Sequence, residues 1–372
     1  KNLIINDGNI YFANNYNGQM PKAVGSRGAI YSTNYTKIID SSITFFKNSA
    51  GRGAAIYSGS LSIIGKNTNI TFSSNIAGER SIAGSIQSAS GDGGAIYTEN
   101  SLIIDTSGKG FIEFYNNIVD GYNWYKYSAS SQTGGGAITS LGNIELDTSM
   151  IVRYNYLSGI ENGLSTPAAY TIYTTSNIYI KGGTYHFYRN GVQNPNFKPN
   201  KNISSTIYAN NIYVMDNSKT RLKFEDNRAS QNIITLKEGG SFDTSLACPT
   251  QTGKGCSNIY TFHNNSNSDS LIRFGKDFYM AGGIWDFSNN SLTQQNNITH
   301  IKASTNGKIS IRYADISFDT TLAISNCIAD VSKNPTASTM EEKYYWYTMD
   351  KRTIHLSDDT ARTIKNNSHS IV

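Results

Sequence analysis

The sequence predicts an all-β fold, a right-handed parallel β-helix: a solenoid of about ten rungs with three short strands per rung and long loops inserted mainly at one corner. Three observations predict it. The chain has 33 Gly and 25 Tyr with abundant Ile, Asn, Ser and Thr, but only 6 Pro and 16% charged residues. That composition favours strands joined by tight corners. A motif built on Gly-Ala-Ile recurs as RGAI at 27–30, GAAI at 53–56 and GGAI at 93–96 and 135–138, then decays to AYTIYT at 169–174 and STIYAN at 205–210. An apolar-x-Phe-x-x-Asn motif alternates with it, at Phe12/Asn15, Phe45/Asn48, Phe72/Asn75, Phe114/Asn117, Phe187/Asn190, Phe224/Asn227, Phe262/Asn265 and Phe287/Asn290. Val152/Asn155 keeps the register without the ring.

The first strand of each rung carries the Ile of the Gly-Ala-Ile motif, which places Ile30, Ile56, Ile96, Ile138, Ile172 and Ile207 in one interior file. Ahead of it Gly93-Gly94 and Gly135-Gly136 allow a sharp corner and close approach of neighbouring rungs. A second strand follows with alternating apolar pairs, Leu61/Ile63, Leu102/Ile104, Ile144/Leu146, Ile178/Ile180 and Ile212/Val214. The third carries Phe, with an apolar residue two positions before it on the same side. Its Asn falls where the chain turns, a place suited to left-handed dihedrals and to amide bonds with backbone or with the next rung's Asn. Asp40, Asp105 and Asp147 each follow the second strand and read as turn formers. Identical order in every repeat means that each strand pairs in parallel with its equivalent about 4.8 Å away, and crossovers between parallel strands favour the right hand. Residues 298–321 read as a tenth rung with Thr321 in the Asn position. The β-helix is expected over 1–325, with an irregular rung or cap region over 326–372.

Phe-to-Phe intervals vary from 25 to 42 residues, counting Val152 as a Phe position, and most of the surplus enters between the Asn and the next Gly-Ala-Ile. Stacked rungs project such inserts on one side, where repeat proteins commonly bind. The insert after Asn117 concentrates Tyr122, Trp124, Tyr125 and Tyr127, amphipathic rings suited to a protein or glycan contact; packing on the solenoid's own flank is the other reading. Deleting 118–133 is expected to leave the stack intact.

Enzyme chemistry finds little support. β-Helical lyases and hydrolases need clustered carboxylates, and 27 acidic residues form no column at a fixed rung position. There is no HExxH, no Cys/His metal spacing and no Gly-x-Ser-x-Gly. The five histidines, His186, His263, His300, His355 and His369, read as solvent-exposed structural residues. No catalytic residue, metal or cofactor is therefore expected. A net charge of +5 with scattered signs argues against nucleic acid. Cys248 and Cys256 bracket the loop CPTQTGKGC and read as a short disulfide, leaving Cys327 unpaired.

The alternation of GGAI with FxxN resembles the repeats of the polymorphic outer-membrane protein (Pmp) autotransporters, best known from chlamydiae. It is strongest over residues 1–150, and its FxxN half persists to about 290. The resemblance implies a β-helical passenger displayed on or released from a bacterial surface, acting as an adhesin towards host-cell or bacterial proteins or glycans, or towards itself. Such a passenger meets the membrane only through a barrel domain that this stretch of sequence does not contain. A β-helical polysaccharide lyase or hydrolase, and a toxin or filament-forming protein, are the alternatives.

Overall fold

The computed structural model describes residues 1–15, 28–77, 92–107, 109–120, 134–158, 170–191, 203–215, 220–248, 256–267, 269–292, 299–312, 314–317, 321–331, 353–356 and 362–363. These residues form a parallel β-helix, every paired strand running parallel to its neighbour in the next rung. The interior Ile file follows the expected register from Ile30 through Ile56, Ile96, Ile138 and Ile172 to Ile207. It then continues through Ile234 and Ile272 to Ile301, whose backbone is in register with Ile324. In the second sheet Leu61, Leu102, Ile144, Ile178 and Ile212 stack, and the file runs on into Phe242, Phe278 and Ile309.

The phenylalanines make the third file. Phe12, Phe45, Phe72 and Phe114 lie nearly parallel at 5.0, 5.1 and 4.7 Å between centroids. Val152 interrupts the rings, and stacking resumes at Phe187, Phe224, Phe262 and Phe287 at 4.7, 4.9 and 5.3 Å. Each such pair contributes roughly 0.5–1.5 kcal/mol beyond the burial of its area. The residue two before Phe is interior as well, and two of the large polar-tipped ones are satisfied locally, while the buried Tyr260 hydroxyl finds no hydrogen-bond partner among the described residues. Tyr185 donates its hydroxyl to the Gly182 carbonyl (2.6 Å), and Trp285 its indole N–H to that of Gly282 (3.0 Å).

At the FxxN corner the expected place of the left-handed backbone needs correcting: it belongs to the residue before Asn, not to Asn itself. Asn14, Lys47, Ser74, Asn116, Tyr154, Arg189, Asp226, Asn264 and Asn289 all have φ between 49° and 57°. Thus Arg189 and Asp226 carry the dihedral expected of Asn190 and Asn227. The turn points the following Asn side chain inward, where it forms a buried ladder. The backbone N–H and Nδ2 of Asn75 both donate to Oδ1 of Asn117 (3.1 and 2.9 Å), and Asn75 Nδ2 also reaches the Phe45 carbonyl on the other side (3.1 Å). Asn190 and Asn227 are likewise fully buried rather than lying on the surface of the bend. The N–H and Nδ2 of Asn190 donate to Oδ1 of Asn227 (both 3.0 Å), and those of Asn227 to Oδ1 of Asn265 (both 3.1 Å). Their Nδ2 groups also reach back to the carbonyls of Val152 and Phe187. Asn48, Asn117, Asn155 and Asn265 repeat the pattern.

Four early rungs also hold a fourth, short strand directly after the Asn, in place of the three expected. Ser49–Ala50, Ile76–Ala77, Ile118–Asp120 and Tyr156–Ser158 form a small parallel sheet of their own. Thr299–Arg312 and Asp315–Ser317 supply the tenth rung. Thr321–Val331 then runs as one strand through residue 325, with Thr353–Leu356 and Arg362–Thr363 paired beyond it.

Candidate functional site

The corner after the Asn ladder is where the rungs differ. In the second rung residues 51–55 pass directly from Ala50 to Ile56, which is what the crossing needs when it is bare. Elsewhere residues 78–91, 121–133 and 159–169 leave from the short strands and return at Ile96–Thr98, Gly135–Ser140 and Tyr170–Thr174, while 192–202 leaves after Gly191 and returns at Ile203–Ala209. Both ends of each insert are therefore attached at the same corner. Tyr122, Trp124, Tyr125 and Tyr127 lie outside the described residues. The boundary of their insert needs correcting, however. Ile118–Asp120 pairs with Ile76–Ala77 and Tyr156–Ser158, and Val119 is buried, so the segment surplus to the stack begins at 121 and not at 118.

The return side is built by glycine. Gly93 has φ +64°, and a Cβ on Gly94 would sit 1.9 Å from the Gly136 carbonyl oxygen. Gly135 is equally confined, 2.0 Å from the Ile138 carbonyl oxygen, whereas Gly136 meets nothing nearer than 3.3 Å. Asp92 ties this corner across rungs: one carboxylate oxygen accepts the Gly134 N–H (3.0 Å) and the other meets Arg52 Nε (3.1 Å). The Arg52 guanidinium lies over Tyr97 at 5.2 Å. Tyr31, Tyr57 and Tyr97 stack on the outward side of the Ile file at 5.3 and 5.1 Å, and Tyr57 donates to Glu99. Farther along, Tyr170, Tyr173 and Tyr208 form a second cluster at 4.8–5.3 Å. Burial pushes the hydroxyl of Tyr173 up to about 12, so these rings are neutral donors over the physiological range.

The outer face of the FxxN strands carries two groupings of titratable residues. His186 contacts Glu225 (3.0 Å), which Lys223 also engages (2.6 Å). Burial lowers the His186 pKa, outweighing its bond to Glu225. Glu225 is held below the usual carboxylate range, mainly by Lys223. Farther along the same face, His263 Nε2 lies 2.7 Å from Asp286 and 3.1 Å from Ser288 Oγ. Serine, histidine and aspartate thus meet, but not as an acyl-transfer triad. Serine and carboxylate share one ring nitrogen, where a triad puts them on opposite nitrogens, and Ser288 donates to Asp286 (2.7 Å). Burial alone would raise the Asp286 pKa; Ser288, through side chain and backbone, and then His263 reverse it. The arrangement is a turn anchored by a carboxylate.

His300 departs from the expectation for the histidines: it is buried, its ring edge-on to Phe287 at 5.9 Å. No grouping of three or more His, Cys, Asp or Glu able to hold a metal occurs among the described residues. Cys248 and Cys256 are joined as a disulfide with Cα atoms 5.2 Å apart, and Cys327 lies in register with Gly307. Asp105 accepts the Ser107 N–H (3.1 Å), as a turn former does; Asp40 turns the chain with φ 41° and accepts the Asn67 N–H of the next rung (3.0 Å); Asp147, expected in a turn, instead lies within the continuous strand Ile144–Arg153.

Sequence reading missed an outward aromatic file at the FxxN corner, made by Tyr115, Tyr154 and Tyr188 with Arg153 and Arg189. Its signal was present in the two positions after Phe or Val, in FYNN, VRYN and FYRN.

No curated protein and no solved structure matches the chain. A family match is found for the Chlamydia polymorphic membrane protein (Chlamydia_PMP) repeat, at residues 42–59 and 69–99. Those stretches hold Phe45/Asn48 with GAAI and Phe72/Asn75 with GGAI, two successive units of the motif pair that builds the rungs. Over residues 42–59 and 69–99, then, the chain is similar to that repeat, and the same motif pair builds the rungs of its parallel β-helix.

Proposed function

We propose that the chain is the display segment of a surface-attached or released autotransporter passenger, and that it acts as an adhesin towards host cells, other bacteria or itself. The observation that carries this reading is the gathering of the inserts. Residues 78–91, 121–133, 159–169 and 192–202 all attach at one corner of a coil that needs only residues 51–55 to cross that corner bare. Loops held at regular intervals on a rigid scaffold are how repeat proteins present binding surfaces. The Ser288–His263–Asp286 geometry lends no support to hydrolysis. The test is adhesion of beads coated with the purified chain to cultured epithelial cells and to bacteria, comparing the native protein with a variant lacking 121–133. Adhesion should fall; unchanged adhesion on removing each insert in turn would reject the reading.

A further inference from the structure

The outward face of the FxxN corner holds a second candidate surface, apart from the inserts. Tyr115, Arg153 and Tyr188 occupy the same position on three successive rungs. The Arg153 guanidinium lies 4.7 Å over the Tyr115 ring and that of Arg189 4.9 Å over Tyr188. Tyr154 stands between the two other rings, edge-to-face with each at 5.9 Å, and Arg189 reaches its hydroxyl (3.4 Å). Tyr115 is 38% exposed, and the Arg153 and Arg189 side chains are 40% and 45% exposed.

Two features set this file apart from ordinary surface. Tyr154 and Arg189 occupy the left-handed corner positions, with φ of 56° and 49°. Asn14, Asn116, Asp226, Asn264 and Asn289 fill five of the other seven places in the column with residues that tolerate that backbone, and Lys47 and Ser74 the remaining two. Bulky side chains at strained positions point to a use for what they project. The second feature is charge. Arg153 is paired with Glu113 (2.8 Å) and Arg189 with Asp226 (3.2 Å), so the file offers aromatic faces, fixed N–H donors and carboxylate acceptors with little net charge.

We propose that this file binds a neutral linear glycan lying along the solenoid axis. Sugar C–H faces match the tyrosine rings, and hydroxyls, which both donate and accept, match guanidinium and carboxylate together. A sulfated or phosphorylated chain would instead call for cations not already matched. An extended β-1,4-linked hexopyranose chain advances by a length similar to the rung spacing of about 4.8 Å, so successive sugars meet successive rungs. The inference rests on the reading that the outer surface of this solenoid serves attachment.

Calorimetric titration of the full chain with cellohexaose, chitohexaose and laminarihexaose, and separately with heparin, tests it. At least one neutral hexasaccharide should bind, and Tyr154→Asn, a residue suited to the left-handed backbone, should weaken it at least tenfold, about 1.4 kcal/mol. Tyr179→Ala, in the stacked Tyr179–Tyr213 pair of the second sheet, should leave binding unchanged. The proposal fails if none of the three binds, if heparin alone binds, or if Tyr154→Asn binds as the native chain does. Cell adhesion that persists without hexasaccharide binding would reject this site while sparing the adhesin reading; hexasaccharide binding without cell adhesion would do the reverse.

Discussion

Asn117 joins three rungs through one side chain. Its Oδ1 accepts from the N–H and Nδ2 of Asn75, and its own Nδ2 donates to Asn155 (3.0 Å) and to the Phe72 carbonyl (3.0 Å). Asn117→Ala would leave two buried donors of Asn75 without their acceptor, a loss of about 2–5 kcal/mol, read as a fall in the denaturant midpoint. His186 makes a smaller, pH-dependent contribution. Its folded pKa is lowered below the ordinary 6.5, first by burial. As pH falls through that value the unfolded chain takes the proton first, so stability present above it is lost on acidification. His186→Gln should therefore remove part of the drop in denaturant midpoint between about pH 7 and pH 5. An unchanged drop would show that other groups carry it.

Within one element, the paired glycines of the first strand are not equivalent. Gly94→Ala forces a Cβ to 1.9 Å from the Gly136 carbonyl oxygen, backbone that cannot yield without shifting a rung. Gly136→Ala brings it no nearer than 3.3 Å to Tyr156 backbone. The first should cost several kcal/mol and the second about 1 kcal/mol or less, measured as denaturant midpoints on matched variants. Much at this scale was legible in the sequence, because burial on one face imposes a period of two and a fixed rung position imposes a repeat. The Ile and Phe files and the turn-forming Asp40 and Asp105 follow from those periods. The strands Ser49–Ala50 and Ile76–Ala77 were not legible, since two residues carry no period. Nor was the left-handed position: the recurrent Asn drew attention, at Asn190 and Asn227 as elsewhere, while its neighbour varies from Lys47 to Tyr154 and carries the dihedral. The Tyr115–Tyr154–Tyr188 file escaped for a related reason. Its rings alternate between two adjacent sequence positions and meet only once the corner has turned them to one face.

For the molecule as a whole, stacking replaces a single core. Each rung rests mainly on its two neighbours, so stability accumulates by rung and by interface, and a change confined to one connection need not spread. Removing 121–133 while keeping the Ile118–Asp120 strand should leave the β-sheet circular dichroism and thermal midpoint close to native, whereas extending the cut to 118 should lower the midpoint by breaking the short sheet. Equal midpoints for the two deletions would show that the short sheet adds nothing to the stack. The Asn ladder has one further property. From Asn15 to Asn265 each Asn donates through its Nδ2 and backbone N–H to the Oδ1 of its C-terminal neighbour, and from Asn48 to Asn290 each Oδ1 accepts from the N-terminal one. Its bonds thus polarise one another head to tail, which gives the solenoid a growing end: each newly docked turn completes the one before it and offers fresh donors to the next. Asn290 turns its own Nδ2 to the carbonyls of Phe262, Phe287 and Ser288 and to no further Asn, and there, among the described residues, the relay that recruits one turn after another comes to its stop.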